Sequence, residues 1–187
     1  MARSLPRRRL ELVPVGGVSL PFVDRLRPEL DARLGVDSIV GAPLSVAPEW
    51  TDAKTGRVRS EAIVDALLAR ADGEEHGPLR LALADAELAA PGEGRVFGEA
   101  AVGGGCAVVG LAALRPAKPD DSSLYLDRAV KEAVHELAHA AGLEHCADPS
   151  CVMYPSRDIE DTDRKGRDFC AGCRELFSHA TLDAART

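Results

Sequence analysis

The spacing of apolar residues changes several times along this chain, and each change marks an element. Residues 10–18, LELVPVGGV, form a short apolar run that predicts a strand ended by Gly16 and Gly17. Behind Pro21, residues Phe22, Leu26, Leu30 and Leu34 recur every four positions, the spacing of one helix face, and Gly35 supplies a stop. Residues 36–46 predict a second strand, and the polar stretch 47–59, APEWTDAKTGRVR, predicts a loop. Ser60 stands where it can cap a helix through EAIVDALLARA, whose Ile63, Ala66, Leu67 and Ala71 keep helical spacing. Residues 78–90 and 95–102 predict strands around a PGEG turn, and CAVVGLAALR predicts another after three glycines. The order strand–helix–strand–helix–strands predicts an α/β fold. The strongest period runs from Leu124 to Ala141, where Leu126, Val130, Ala133, Val134, Leu137, Ala138 and Ala141 form one broad apolar face. The preceding loop, PAKPDDSS, ends in capping residues. Beyond Gly142 the pattern lapses until RELFSHATLDAA, a last helix.

Length and charge narrow the picture. A chain of 187 residues predicts one domain over 1–187, with a single sizeable core. A net charge of -7 disfavours nucleic acid or an anionic membrane surface as partner. No apolar run approaches the ~18 residues of a membrane span. The start, MARSLPRRRLELVPV, has no continuous apolar core or clear cleavage site, so no secretion leader is expected and the location is expected to be cytoplasmic. Arg7, Arg8 and Arg9 are read as a solvated start. A monomer is expected.

The chemistry concentrates in HELAHAAGLEHC, residues 135–146, which holds three of the five histidines. His135 and His139 lie four apart, so on a helix their rings project from nearly the same side. Glu136 is rotated about 100° from the first histidine, placed to meet a metal-bound water without ligating. Gly142 can end the helix with positive φ and swing His145 back as a third ligand. This is HExxHxxGxxH, the extended zinc signature of the metzincins. Three neutral imidazoles leave a zinc ion its full charge and an open position. Glu136 would serve as general base. HExxH alone arises by chance on ordinary helices; the glycine and third histidine in place make chance a poor account.

Four of five cysteines follow. Cys146 and Cys151 are five apart, and Cys170 and Cys173 form CxxC. Two such pairs suit a structural zinc site with four thiolate ligands; two disulfides are the alternative, which a reducing compartment disfavours. Cys106, alone at a strand start, reads as a buried free thiol. His76 and His179 read as surface residues.

With these motifs the chain resembles the archaemetzincins, a metzincin branch of zinc metallopeptidases. The resemblance rests on HELAHAAGLEHC, then CADPSCVM, then DRKGRDFCAGC, with RAVKEAVHE and VFGEA upstream. It implies a compact mixed sheet with an antiparallel edge strand above the cleft, an active-site helix, and a C-terminal part, 146–187, carrying the four-cysteine zinc subsite and last helix. Residues 106–114 would be the edge strand, able to pair with an extended peptide. Met153, in Cys151-Val152-Met153, would be the Met-turn residue beneath the histidines. The DxK element before FCxxC is Asp163 and Lys165. Ala138 replaces a common glycine, which bears on substrate fit. Tyr154 reads as a packing residue and not as a ligand. The expected function is hydrolysis of peptide bonds in a peptide or protein substrate, with two zinc ions, one catalytic and one structural. The alternative is a zinc-stabilised binding or regulatory protein that keeps the metal sites without turnover. Retention of Glu136 favours the enzyme.

Overall fold

A strand buried along its whole length needs cover on both faces, and Leu79–Ala84 is buried at every position. In the computed structural model, which describes residues 8–71, 77–118 and 121–183, this strand, β4, is the middle one of five. The sheet order is β2 (Asp37–Val40), β1 (Arg9–Val15), β4, β8 (Cys106–Gly110) and β7 (Gly98–Ala100). All neighbours are parallel except β8 and β7.

Side-chain alternation divides the sheet into two faces. Leu10, Leu12, Leu81, Leu83, Ala107 and Val109 face a core shared with α1 (Leu20–Leu34) and α3 (Ser122–Ala140). Val13, Val15, Ala82, Ala84, Cys106 and Val108 face a second core under α2 (Ser60–Ala71). A smaller sheet joins β3 (Val58–Arg59), β5 (Leu88–Ala90) and β6 (Gly94–Val96). Two helices, α4 (Ile159–Arg164) and α5 (Ala171–Asp183), complete the C-terminal part. Among the described residues, no helix is long and apolar enough to cross a membrane.

The expected antiparallel edge strand exists, but it is β7 and not residues 106–114. Every residue of Cys106–Gly110 is buried, the mark of an interior strand. Leu111–Leu114 leaves the sheet as a 3₁₀ turn. Other boundaries differ for local reasons. The strand expected over 36–46 stops at Val40, before Gly41 and Pro43. The single strand expected over 95–102 divides between the two sheets, as β6 and β7. Val58-Arg59, at the end of the stretch read as loop, forms β3. Ser60 is the first helical residue and not a cap; its buried hydroxyl lies within hydrogen-bond reach of the Ala89 carbonyl, at 3.1 Å, and of the Glu99 carboxylate. Helix α4 has one buried residue, Thr162, so it has no apolar period to read; Asp158 caps it, accepting from the Asp161 amide at 2.8 Å.

Candidate active site and four-cysteine centre

Helix α3 begins on Asp121, whose carboxylate accepts from the Leu124 amide at 3.0 Å. Over its last turn and a half it presents His135 and His139. Their Nε2 atoms stand 3.1 Å apart. Each Nδ1–H donates to a carbonyl: His135 to Val152 at 2.9 Å and His139 to Leu143 at 2.7 Å. These bonds fix the tautomer and leave both Nε2 lone pairs aimed at one point. Burial pulls the His135 pKa well below the ordinary imidazole range, and the Lys165 cation pulls it further.

The chain turns at Gly142, with φ of 101°, where a side chain would be strained. The Gly142 amide returns to the His139 carbonyl at 2.8 Å. Amides of Gly103 and Gly105 also cap the last carbonyls of α3, at His139 and Ala140. This exit brings His145 back, its ring centroid 5.2 Å from that of His135 and 4.8 Å from that of His139. One ligand nitrogen from each of the three rings lies within 4.8 Å of the others. Tetrahedral zinc with Zn–N of ~2.05 Å requires nitrogens about 3.3 Å apart, so the His135–His139 pair fits the ion.

Glu136 lies one residue around the helix, only 7% exposed. It packs against Gly98 of β7. A Cβ at position 98 would stand 2.5 Å from Glu136 Cγ, 2.7 Å from Oε1 and 2.7 Å from the Val108 carbonyl. A glycine there is therefore what lets the carboxylate lie between helix and edge strand. Burial raises the Glu136 pKa well above the usual carboxylate range, with help from the Glu132 charge, while Lys165 acts the other way. A divalent cation beside it would also lower it.

The four sulfurs of Cys146, Cys151, Cys170 and Cys173 gather within 4.8 Å of one another. Cys146 and Cys170 Sγ are 3.9 Å apart, far beyond the ~2.05 Å of a disulfide and close to the ~3.8 Å of tetrahedral thiolates on zinc. All four thiols are free, as is buried Cys106. Burial pushes Cys151 and Cys173 above the ordinary thiol range, while the Cys173 amide pulls Cys170 below it. Met153, fully buried, links the two centres through its backbone: its carbonyl accepts from the Cys146 amide at 2.9 Å, next to His145, while the preceding Val152 carbonyl holds His135.

Buried charges on α3 meet the segment after this turn. Arg128 makes a two-pronged pair with Asp163, both contacts 2.7 Å. Glu132 accepts from Lys165 at 3.1 Å and from Thr162 at 2.9 Å. No spacing rule marks Gly98, Glu132 or Lys165 as site residues; their signal in the sequence is membership in the segments VFGEA, RAVKEAVHE and DRKGRDFCAGC.

The three histidines, Glu136, Glu132 and Gly98 line a cleft of about 600 Å³. Arg95 to Gly98, Ala100 and Val102 form one wall, α3 the floor, and His145 with Pro155 to Arg157 the other wall. Tyr154 is half-buried and outside this lining. His179 is exposed, 3.9 Å from Glu175; His76 and Arg7 lie outside the described residues.

An α/β fold with this three-histidine helix, edge strand and cleft defines a zinc metallopeptidase of the metzincin type. Residues 53–179 match the model of peptidase family M54. Archaemetzincins from Methanopyrus kandleri and Pyrococcus furiosus are 39% and 32% identical to the chain; the alignments cover 83% and 89% of it, and 86% and 91% of those proteins. The crystal structure of the Methanopyrus kandleri archaemetzincin superimposes with a TM-score of 0.80 at 33% identity, covering 96% of this chain and 97% of that one. A zinc-dependent peptidase from Methanocorpusculum labreanum gives 0.81 at 25% identity, covering 90% and 99%. The chain belongs to the archaemetzincins, peptidase family M54.

Proposed function

We propose that the chain hydrolyses peptide bonds with a catalytic zinc on His135, His139 and His145 and a structural zinc on Cys146, Cys151, Cys170 and Cys173. The observation that carries this reading is the pre-aimed set of imidazoles, two of them locked by carbonyls, with the Glu136 carboxylate beside them and outside the three-nitrogen group. Zinc would supply Lewis acidity, making a water acidic near neutral pH and polarising the scissile carbonyl. Glu136 accepts the water's proton on its carboxylate and passes it to the leaving amine. Its burial between α3 and Gly98 excludes bulk water and fixes its reach. An extended peptide pairs with the outer edge of β7, the last strand of the sheet, whose Gly98 and Ala100 line the same cleft as the histidines. Met153 acts as the Met-turn residue, its buried side chain and backbone supporting the ligand helix. The four-cysteine centre suits a reducing compartment, in line with a cytoplasmic monomer acting on peptide or protein substrates.

Digestion of an unbiased peptide library by wild-type and Glu136→Gln protein, read by mass spectrometry, tests the reading. Cleavage products present only with wild type are expected. No products from zinc-loaded wild type would favour a binding protein that keeps its metal.

A further inference from the structure

Among the described residues, the Lys165 ammonium stands out of reach of water. The Lys165 side chain is 0% exposed, and the Glu132 side chain it pairs with is 3% exposed. Burying such a pair is costly, and apolar residues often stabilise a fold as well or better. What the pair touches offers a reason for its presence. Glu132 Oε1 accepts three donors: Lys165 Nζ at 3.1 Å, Thr162 Oγ1 at 2.9 Å and Ser156 Oγ at 3.2 Å. Lys165 Nζ also donates to the Tyr154 carbonyl at 3.4 Å. Glu132 lies on α3, three residues before His135. Tyr154 and Ser156 lie on the turn whose Val152 carbonyl holds the His135 ring. The ammonium therefore ties the helix that carries two histidines to the loop that orients one of them.

We propose that Lys165 is a positioning residue for the three-histidine site: bonded at once to Glu132 and to the Tyr154 carbonyl, it sets the distance from Val152 to His135 and so the aim of the His135 Nε2 lone pair. Groups that orient a ligating histidine commonly change metal affinity by about 10–100-fold. Lys165 reaches the same ring one step further out, through backbone.

The inference rests on the three histidines holding zinc, and the experiment separates the two. Zinc uptake is measured by competition with a chromophoric chelator in wild type, Lys165→Met and Glu132→Gln/Lys165→Met. The double variant leaves no lone buried charge, so it is the one expected to fold as wild type does. Both variants should keep the cysteine-bound zinc and bind the second zinc about 10–100-fold more weakly. In ¹⁵N-histidine spectra, the protected Nδ1–H of His135 should lose its protection. A pair that serves stability alone would leave affinity and ring proton unchanged in the folded double variant, and that result overturns the proposal. A double variant that does not fold assigns the pair to the fold as a whole and overturns it equally. Wild type that takes up only the cysteine-bound zinc would instead sink the three-histidine reading itself.

Discussion

The three-histidine and four-cysteine centres share the stretch from His145 to Met153, yet they are held in opposite ways. The histidines are aimed from outside. Helix geometry sets two of them, carbonyls of Val152 and Leu143 lock the rings, and a glycine turn returns the third. The centre opens onto a cleft, with His145 exposed. The cysteines come from irregular chain and the first turn of α5 and surround their own centre. Four ligands close such a site, whereas three leave a position for chemistry. The result is an asymmetry of dependence. With zinc in both, the open centre would rely on its surroundings, including backbone pinned by the closed one, while the closed centre would rely on its own ligands.

The largest effect should come from a change that leaves both metals in place. Glu136→Gln should lower turnover by about 10²–10⁴-fold, because an amide cannot take the water's proton. Metal analysis should still find the zinc content of wild type. Loss of zinc from the folded variant would make Glu136 a ligand and blur the division between ligand and base.

Gly98→Ala comes next. A methyl group 2.5 Å from Glu136 Cγ must displace the carboxylate or the edge strand. A shift of about 1 Å at a reacting group can cost about 10²-fold in rate. Steady-state kinetics should show the loss in kcat, with zinc affinity near that of wild type. Undiminished kcat would mean that the contact with Gly98 does not define the working position of Glu136.

Cys173→Ser probes dependence across the two centres. It should empty the cysteine site, loosen residues 146–153, and weaken zinc at the histidines by about 10–100-fold. A zinc titration of the folded variant with unchanged affinity at the histidines would show that the shared stretch transmits nothing.

The smallest effect should be the reverse one. His135→Ala should remove zinc from the open centre but leave the cysteine-bound zinc in place, as metal analysis of the folded variant would show. A chelator should then extract that remaining zinc at the wild-type rate. Faster extraction would make the dependence mutual.

What the sequence by itself determined is what covalent spacing controls. A helical period over Leu124 to Ala141 places His135 and His139 on one side whatever the rest of the chain does, and a glycine after them permits the turn. The grouping of four cysteines likewise narrows the chemistry before any fold is known. The tertiary structure alone decided which strand became the edge, since Cys106–Gly110 and Gly98–Ala100 are both short strand segments and only sheet order separates them. It also decided that Gly98 receives Glu136, that Val152 orients His135, and that Lys165 is buried against Glu132. The physical reason is range. Positions within one or two helical turns are related by fixed backbone geometry. Contacts between distant segments exist only after sheet order and core packing have brought those segments together, and no local pattern of residues encodes them.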